Sequence, residues 1–152
     1  MYTAVLTIHS WMRWVTLFAA LGATLNAFRT PLATDEKLPG RMWDTLFMAA
    51  VDLQVLFGLL LYFGLSPFTR EAMENFGAAM KNGGLRFWAV EHLAGMLAVI
   101  VLVRMGRIMG ANARPLQKAR TRRLVFFTLA VLVMLASIPW PGLSNGRPLF
   151  RI

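Results

Sequence analysis

The chain contains no cysteine, only two histidines, and only seven acidic residues against sixteen basic ones. The missing cysteine excludes a disulfide framework, a thiolate metal site, covalent c-type haem attachment and a cysteine-ligated iron–sulfur cluster. Charge is scarce too: 15% of the 152 residues are Asp, Glu, Lys or Arg, against 57% hydrophobic, and the mean hydropathy is +0.56. A chain this apolar does not make a soluble domain of this length, and an integral membrane protein is expected. The net charge of +9 would suggest nucleic acid in a soluble protein. Here the basic residues lie between apolar runs, where orientation in a membrane accounts for them, and no nucleic-acid partner is expected.

Four segments approach the length of about 20 apolar residues that a membrane-spanning helix needs. They run roughly over 3–28, 43–65, 85–103 and 124–140. The reading is an all-α, integral membrane four-helix bundle forming one domain over 1–152, with no internal repeat and no linker to divide it. The first segment lacks a preceding Lys or Arg and a processing site, so it is expected to stay in the mature protein rather than act as a signal peptide. With four alternating helices, ten of the sixteen basic residues fall on one side: Arg29, Lys37 and Arg41, then Arg104, Arg107, Arg114, Lys118, Arg120, Arg122 and Arg123. The positive-inside rule makes that side cytoplasmic and puts both termini on the outer, periplasmic side of a bacterial inner membrane. Between the second and third segments, Ser66 to Gly84 reads as an amphipathic surface helix. Ser66 is its cap and Pro67 its first residue, and Phe68, Ala72, Met73, Phe76, Ala79 and Met80 recur at helical spacing.

Both histidines lie inside apolar runs, where polar groups are costly and are kept mainly for a partner or a function. With helices one and three entering from the same face, a rise of about 1.5 Å per residue puts His9 about 8 Å deep and His92 roughly 10 Å deep. Two level imidazoles on facing helices suit bis-histidine ligation of one haem b, an arrangement that favours electron transfer over oxygen chemistry. The bland alternative is that each ring hydrogen-bonds a neighbouring carbonyl or meets interfacial water. Two histidines without a fixed carboxylate make a poor zinc site, although Glu91 keeps that open.

Arg13, one turn beyond His9, needs a counterion or acceptor at that depth, and Asp52 and Glu91 are the two carboxylates in reach. A pair with Asp52 ties helices one and two; a pair with Glu91 ties one and three. Arg13, Asp52 and Gln54 are also candidates for a quinone or proton site. Arg86, Arg147 and Arg151 lie on the side where haem propionates would point, and a guanidinium fork suits a carboxylate. The fourth segment, read as 124–140, carries no ionisable group and looks like a supporting wall. Met96, four residues after His92, is core filler before it is a ligand.

His9-Ser-Trp-Met-Arg13-Trp14, Asp52-Leu-Gln54, Arg86-Phe-Trp-Ala-Val-Glu91-His92, and Ile138-Pro-Trp-Pro with Arg147-Pro-Leu-Phe-Arg151 resemble small four-helix bacterial membrane proteins described as cytochrome b-like. The resemblance implies a carrier of one haem b with His9 and His92 as iron ligands, an electron-transfer protein rather than a stand-alone catalyst. A single haem near the outer face does not carry electrons across the bilayer alone, so a quinone, a redox partner or a larger membrane complex is expected beside it. Two other readings stay open. One is a cofactor-free accessory subunit of a respiratory or photosynthetic assembly. The other is a small proton-linked transporter using Arg13, Asp52 and Glu91.

Overall fold

The computed structural model describes residues 1–29 and 41–151; the connection carrying Lys37 lies outside the described residues. Every regular element among the described residues is helical. Helix α1 spans Tyr2–Arg29, and α2 spans Arg41–Leu60 and runs on through a π-turn, Leu61–Leu65. Three short helices follow: α3 (Pro67–Glu74), α4 (Phe76–Ala79) and α5 (Gly83–Arg86). A second π-turn, Phe87–Glu91, leads into α6 (His92–Ala111), and α7 spans Leu116–Ser137.

Among the described residues, three helical stretches are long and apolar enough to cross a membrane: Tyr2–Arg29, Arg41–Leu65 and Gly83–Ala111. The third and fourth long helices overrun their expected limits on the basic side, because Arg, Lys, Gln and Ala are good helix formers and a helix need not stop where its apolar run does. Helix α7 therefore begins at Leu116, not near 124, and carries Lys118, Arg120, Arg122 and Arg123 in its opening turns. The expectation that this helix holds no ionisable group is corrected: Arg123 is among the most buried side chains in the molecule.

Helix α1 packs on α2 and α7, α2 on α6, and α6 on α7. Ala19, Ala23 and Ala27 recur every four residues on the buried face of α1, and small side chains let helix backbones approach closely. The core they meet contains Phe47 and Val51 from α2, Val99 and Val103 from α6, and Phe127, Ala130 and Met134 from α7. Phe47 and Phe127 meet edge to face with centroids 5.7 Å apart, a favoured aromatic geometry. Phe18, Leu21, Phe28, Leu56, Phe63 and Val101 are more than half exposed on the outside. Apolar outward faces of this kind suit a hydrocarbon surrounding.

The segment after α2 is tied down locally. Ser66 Oγ accepts from the Thr69 backbone N–H at 3.4 Å with Pro67 in the first helical position, as the sequence implies. The single amphipathic helix expected up to Gly84 is instead broken at Asn75, whose non-helical backbone ends α3 while its side chain accepts from Ala78 N–H and restarts the chain as α4. Thr69 Oγ1 donates to the Tyr62 carbonyl and Tyr62 OH donates to the Ala89 carbonyl, both at 2.8 Å. These bonds join the two π-turns to α3.

Beyond Ser137 the tail folds back over the same end of the helices. Arg147 N–H donates to the Pro139 carbonyl at 3.0 Å. The Leu149 carbonyl accepts from Arg13 Nη2 at 2.6 Å and from Trp14 Nε1 at 3.0 Å, and the Arg151 carbonyl accepts from Trp11 Nε1 at 3.0 Å. Phe150 stacks on Trp14, with centroids 5.4 Å apart.

Candidate functional site

The two histidines come together. Their ring centroids are 6.3 Å apart and their planes lie at 76°. His9 projects from the third turn of α1, and His92 opens α6 immediately after the π-turn Phe87–Glu91. Single π-turns inside α-helices recur at functional sites because the extra residue re-aims the side chains that follow.

Each ring has a distinct environment. His92 Nδ1 lies 2.7 Å from the Ser137 carbonyl oxygen. A carbonyl only accepts, so Nδ1 carries the proton and the neutral ring keeps the Nε2 lone pair. A backbone carbonyl bound to the remote ring nitrogen is the usual way a metal-binding histidine is oriented. Gly95 makes this contact possible: it lies one turn beyond His92, and a Cβ there would collide with Ser137 Oγ, so α6 and α7 meet closely at that level only without one. His9 Nε2 lies 3.2 Å from Gln54 Nε2 on α2. His9 Nδ1 and Gln54 Oε1 are both buried without a partner. Turning the amide by half a rotation exchanges its two ends but still leaves Nδ1 unpartnered. His9 also lies against Gly58, where a Cβ would stand 3.2 Å from the imidazole Cε1.

A cleft of about 970 Å³, counting its open mouth, contains both rings. Gln54, Gly58, Met96 and Met134 line it, together with Tyr62, Phe68 and Trp88 toward the tail. Trp88 and Phe87 stand with ring centroids 5.8 Å from that of His92. The Arg147 guanidinium lies over Phe68 at 4.6 Å and over Trp88 at 5.0 Å, a cation–π arrangement. Arg13, Arg147 and Arg151 all border the cleft.

Several expected partnerships are different in the structure. Arg13 pairs with neither Asp52 nor Glu91; its acceptor is the Leu149 carbonyl of the tail. Asp52 pairs instead with Arg104 of α6 at 2.9 Å, both side chains partly exposed, and it does not line the cleft. Gln54 does line it, so Asp52 and Gln54 do not form one site. Arg86 is likewise absent from the cleft, because it pairs with Glu91 at 2.6 Å on the surface. The π-turn explains that pair: residues five apart diverge by about 140° on an α-helix but nearly stack through a π-turn. Glu91 is thereby turned away from the histidines. Trp11 and Trp14 hold the tail.

Among the described residues no three His, Cys, Asp or Glu side chains gather as a metal cluster. The histidine pair has no third such ligand, and the fit of a metal group must rest on the two imidazoles themselves. The sequence reading missed the Ser137 carbonyl and the Leu149 carbonyl, backbone acceptors that no residue type announces. It also missed the buried pair of Asp44 with Arg123, whose Nη2 donates to Asp44 Oδ1 at 2.6 Å. The acid in the first turn of α2 was the available signal.

No protein-family model, curated protein or solved structure matches the chain.

Proposed function

We propose that this chain is a membrane electron-transfer protein of cytochrome b type, with one haem b held between His9 and His92. The observation that carries the reading is the 6.3 Å separation of the two ring centroids. Two imidazoles that each reach one metal ion at about 2 Å through a ring nitrogen have centroids about 6 Å apart. With the Gln54 amide turned so that Oε1 accepts from His9 Nε2–H, His9 Nδ1 keeps its lone pair, and it and the lone pair on His92 Nε2 supply the donor chemistry. Two neutral nitrogen donors without a thiolate or carboxylate suit haem iron better than a four-coordinate zinc site. When bound, the haem supplies a one-electron couple.

The residues of the chain do the rest. The Ser137 carbonyl orients His92, and Gln54 is the polar contact that orients His9. Met96, Met134 and the aromatic side chains keep water from the rings, and Arg13, Arg147 and Arg151 offer cations for the propionates at the mouth. In this reading all four long helices cross a bacterial inner membrane as a four-helix bundle. The basic ends of α6 and α7 and the turn between them face the cytoplasm, and the histidines and tail lie toward the outer face. Electrons then pass near the outer surface, with a quinone or a partner protein as the other party.

A second reading is favoured by one observation. Asp52 and Arg104 form a partly exposed ion pair on the outside of α2 and α6, where lipid would leave it poorly solvated. A further subunit packed over that pair makes this chain an accessory component of a larger membrane complex. Purified protein from haem-replete cells distinguishes the two. The first reading expects a reduced-minus-oxidised b-type spectrum at close to one haem per chain, lost in His9→Ala and in His92→Ala; a colourless, well-folded protein supports the second.

A further inference from the structure

At the opposite end of α6 from His92 lies a second cleft, about 720 Å³ counting its open mouth. Arg41 and Asp44 from the start of α2, Arg107 from the last turns of α6, Arg114 from the connecting turn and Arg123 from α7 line it. Four guanidinium groups therefore face a single carboxylate among its described lining residues. The carboxylate is already engaged: Asp44 Oδ1 accepts from Arg123 Nη2 at 2.6 Å. Arg123, 1% exposed, retains a buried Nε and Nη1 with no partner. Among the described residues, the hydrogen bonds of Arg107 and Arg114 are to Met48 Sδ at 3.3 Å and to the Ala113 carbonyl at 3.2 Å.

Guanidinium groups keep their charge in proteins, so this excess of positive charge has to be offset by an anion. Among the described residues no further carboxylate lines the cleft, which leaves room for a second anion, and the planar donor forks match the oxygens of a phosphoryl group. We propose that this arginine cleft binds a phosphoryl anion, either the headgroup of an anionic phospholipid or free phosphate. Its place between the ends of membrane-length helices suits a headgroup, since basic pockets between such helices hold anionic lipids. The Arg123 donors left by Asp44 face the anion from below, and Arg107 and Arg114 close on it from the mouth. Binding ties the start of α2 to the turn between α6 and α7.

The test uses the full chain in a non-ionic detergent, with thermal unfolding followed by tryptophan fluorescence and with bound lipid counted by native mass spectrometry. Cardiolipin, phosphatidylglycerol, phosphatidylcholine and inorganic phosphate are added separately. The expected result is a rise in the unfolding midpoint of roughly 5 °C with cardiolipin or phosphatidylglycerol over phosphatidylcholine. The Arg107→Gln/Arg114→Gln double variant loses most of that rise, and the Lys118→Gln/Arg120→Gln double variant, which removes the same charge from the opening turns of α7 outside the cleft, keeps it. An equal rise with millimolar phosphate assigns the site to the free anion; a rise with lipid alone assigns it to the headgroup. Where the double variant does not fold, Arg114→Gln, at the exposed mouth, is expected to at least halve the shift. No rise with any of the anions, or a rise undiminished in the arginine variants, overturns the proposal.

Discussion

His92 is oriented by one strong contact, the 2.7 Å bond from Nδ1 to the Ser137 carbonyl, whereas His9 meets a longer 3.2 Å contact with Gln54 and keeps a buried nitrogen without a partner. Leaving a buried polar atom unsatisfied costs about 1–3 kcal/mol, a cost that falls on the His9 ring of the bare chain. Arg13 provides another test at this scale. Its guanidinium donates to Leu149 O at 2.6 Å and lies over the Trp14 ring, which makes it the main polar anchor of the tail. Arg13→Ala is expected to lower stability by about 1.5–3 kcal/mol, the usual worth of a hydrogen bond from a charged donor, and to speed chymotryptic cleavage after Phe150. Thermal unfolding and timed proteolysis in detergent check this; unchanged values for both would remove Arg13 from that role.

Helix geometry made the histidine pairing readable in advance, because depth along a helix follows from residue count once the direction of each helix is fixed. The ion pairs were not readable in the same way. Residue types point Arg13 to Asp52 or to Glu91, but the π-turn swings Glu91 toward Arg86, Asp52 meets Arg104, and Arg13 is taken by a tail carbonyl 136 residues away in sequence. Backbone acceptors and a one-residue shift in register leave no mark in residue type. The overrun of α7 was hidden for a related reason: its first turns are basic, and an apolar-run criterion stops at Leu124 while hydrogen bonding continues from Leu116. The contact of α6 with α7 is itself testable. Gly95→Leu forces side-chain bulk against Ser137 and is expected to destabilise the fold by about 1–3 kcal/mol through overpacking, with a larger effect than Gly64→Leu, where a Cβ meets nothing within 4 Å. Comparable unfolding midpoints for the two variants would contradict the close approach.

Across the whole molecule the polar investment is concentrated at two ends: histidines, aromatic rings and tail at one, and the buried Asp44–Arg123 pair with its arginine neighbours at the other. Between them lies an apolar core of alanine, valine and phenylalanine. The pair at the second end is structural in its own right. Asp44→Ala strands Arg123 and is expected to cost about 3–5 kcal/mol, and the double substitution Asp44→Leu/Arg123→Met should recover much of that loss. Unfolding midpoints of the three proteins decide it, and a double variant as unstable as the single one would show that other contacts of Arg123 dominate. The first end carries the functional claim, and a reduced-minus-oxidised absorption spectrum of the purified chain, recorded beside His9→Ala and His92→Ala, tests it most directly. A b-type spectrum at close to one haem per wild-type chain, absent from both folded variants, is the expected result. A folded wild-type protein without that spectrum, or one whose spectrum survives loss of either histidine, would contradict the assignment of His9 and His92 as the haem ligands.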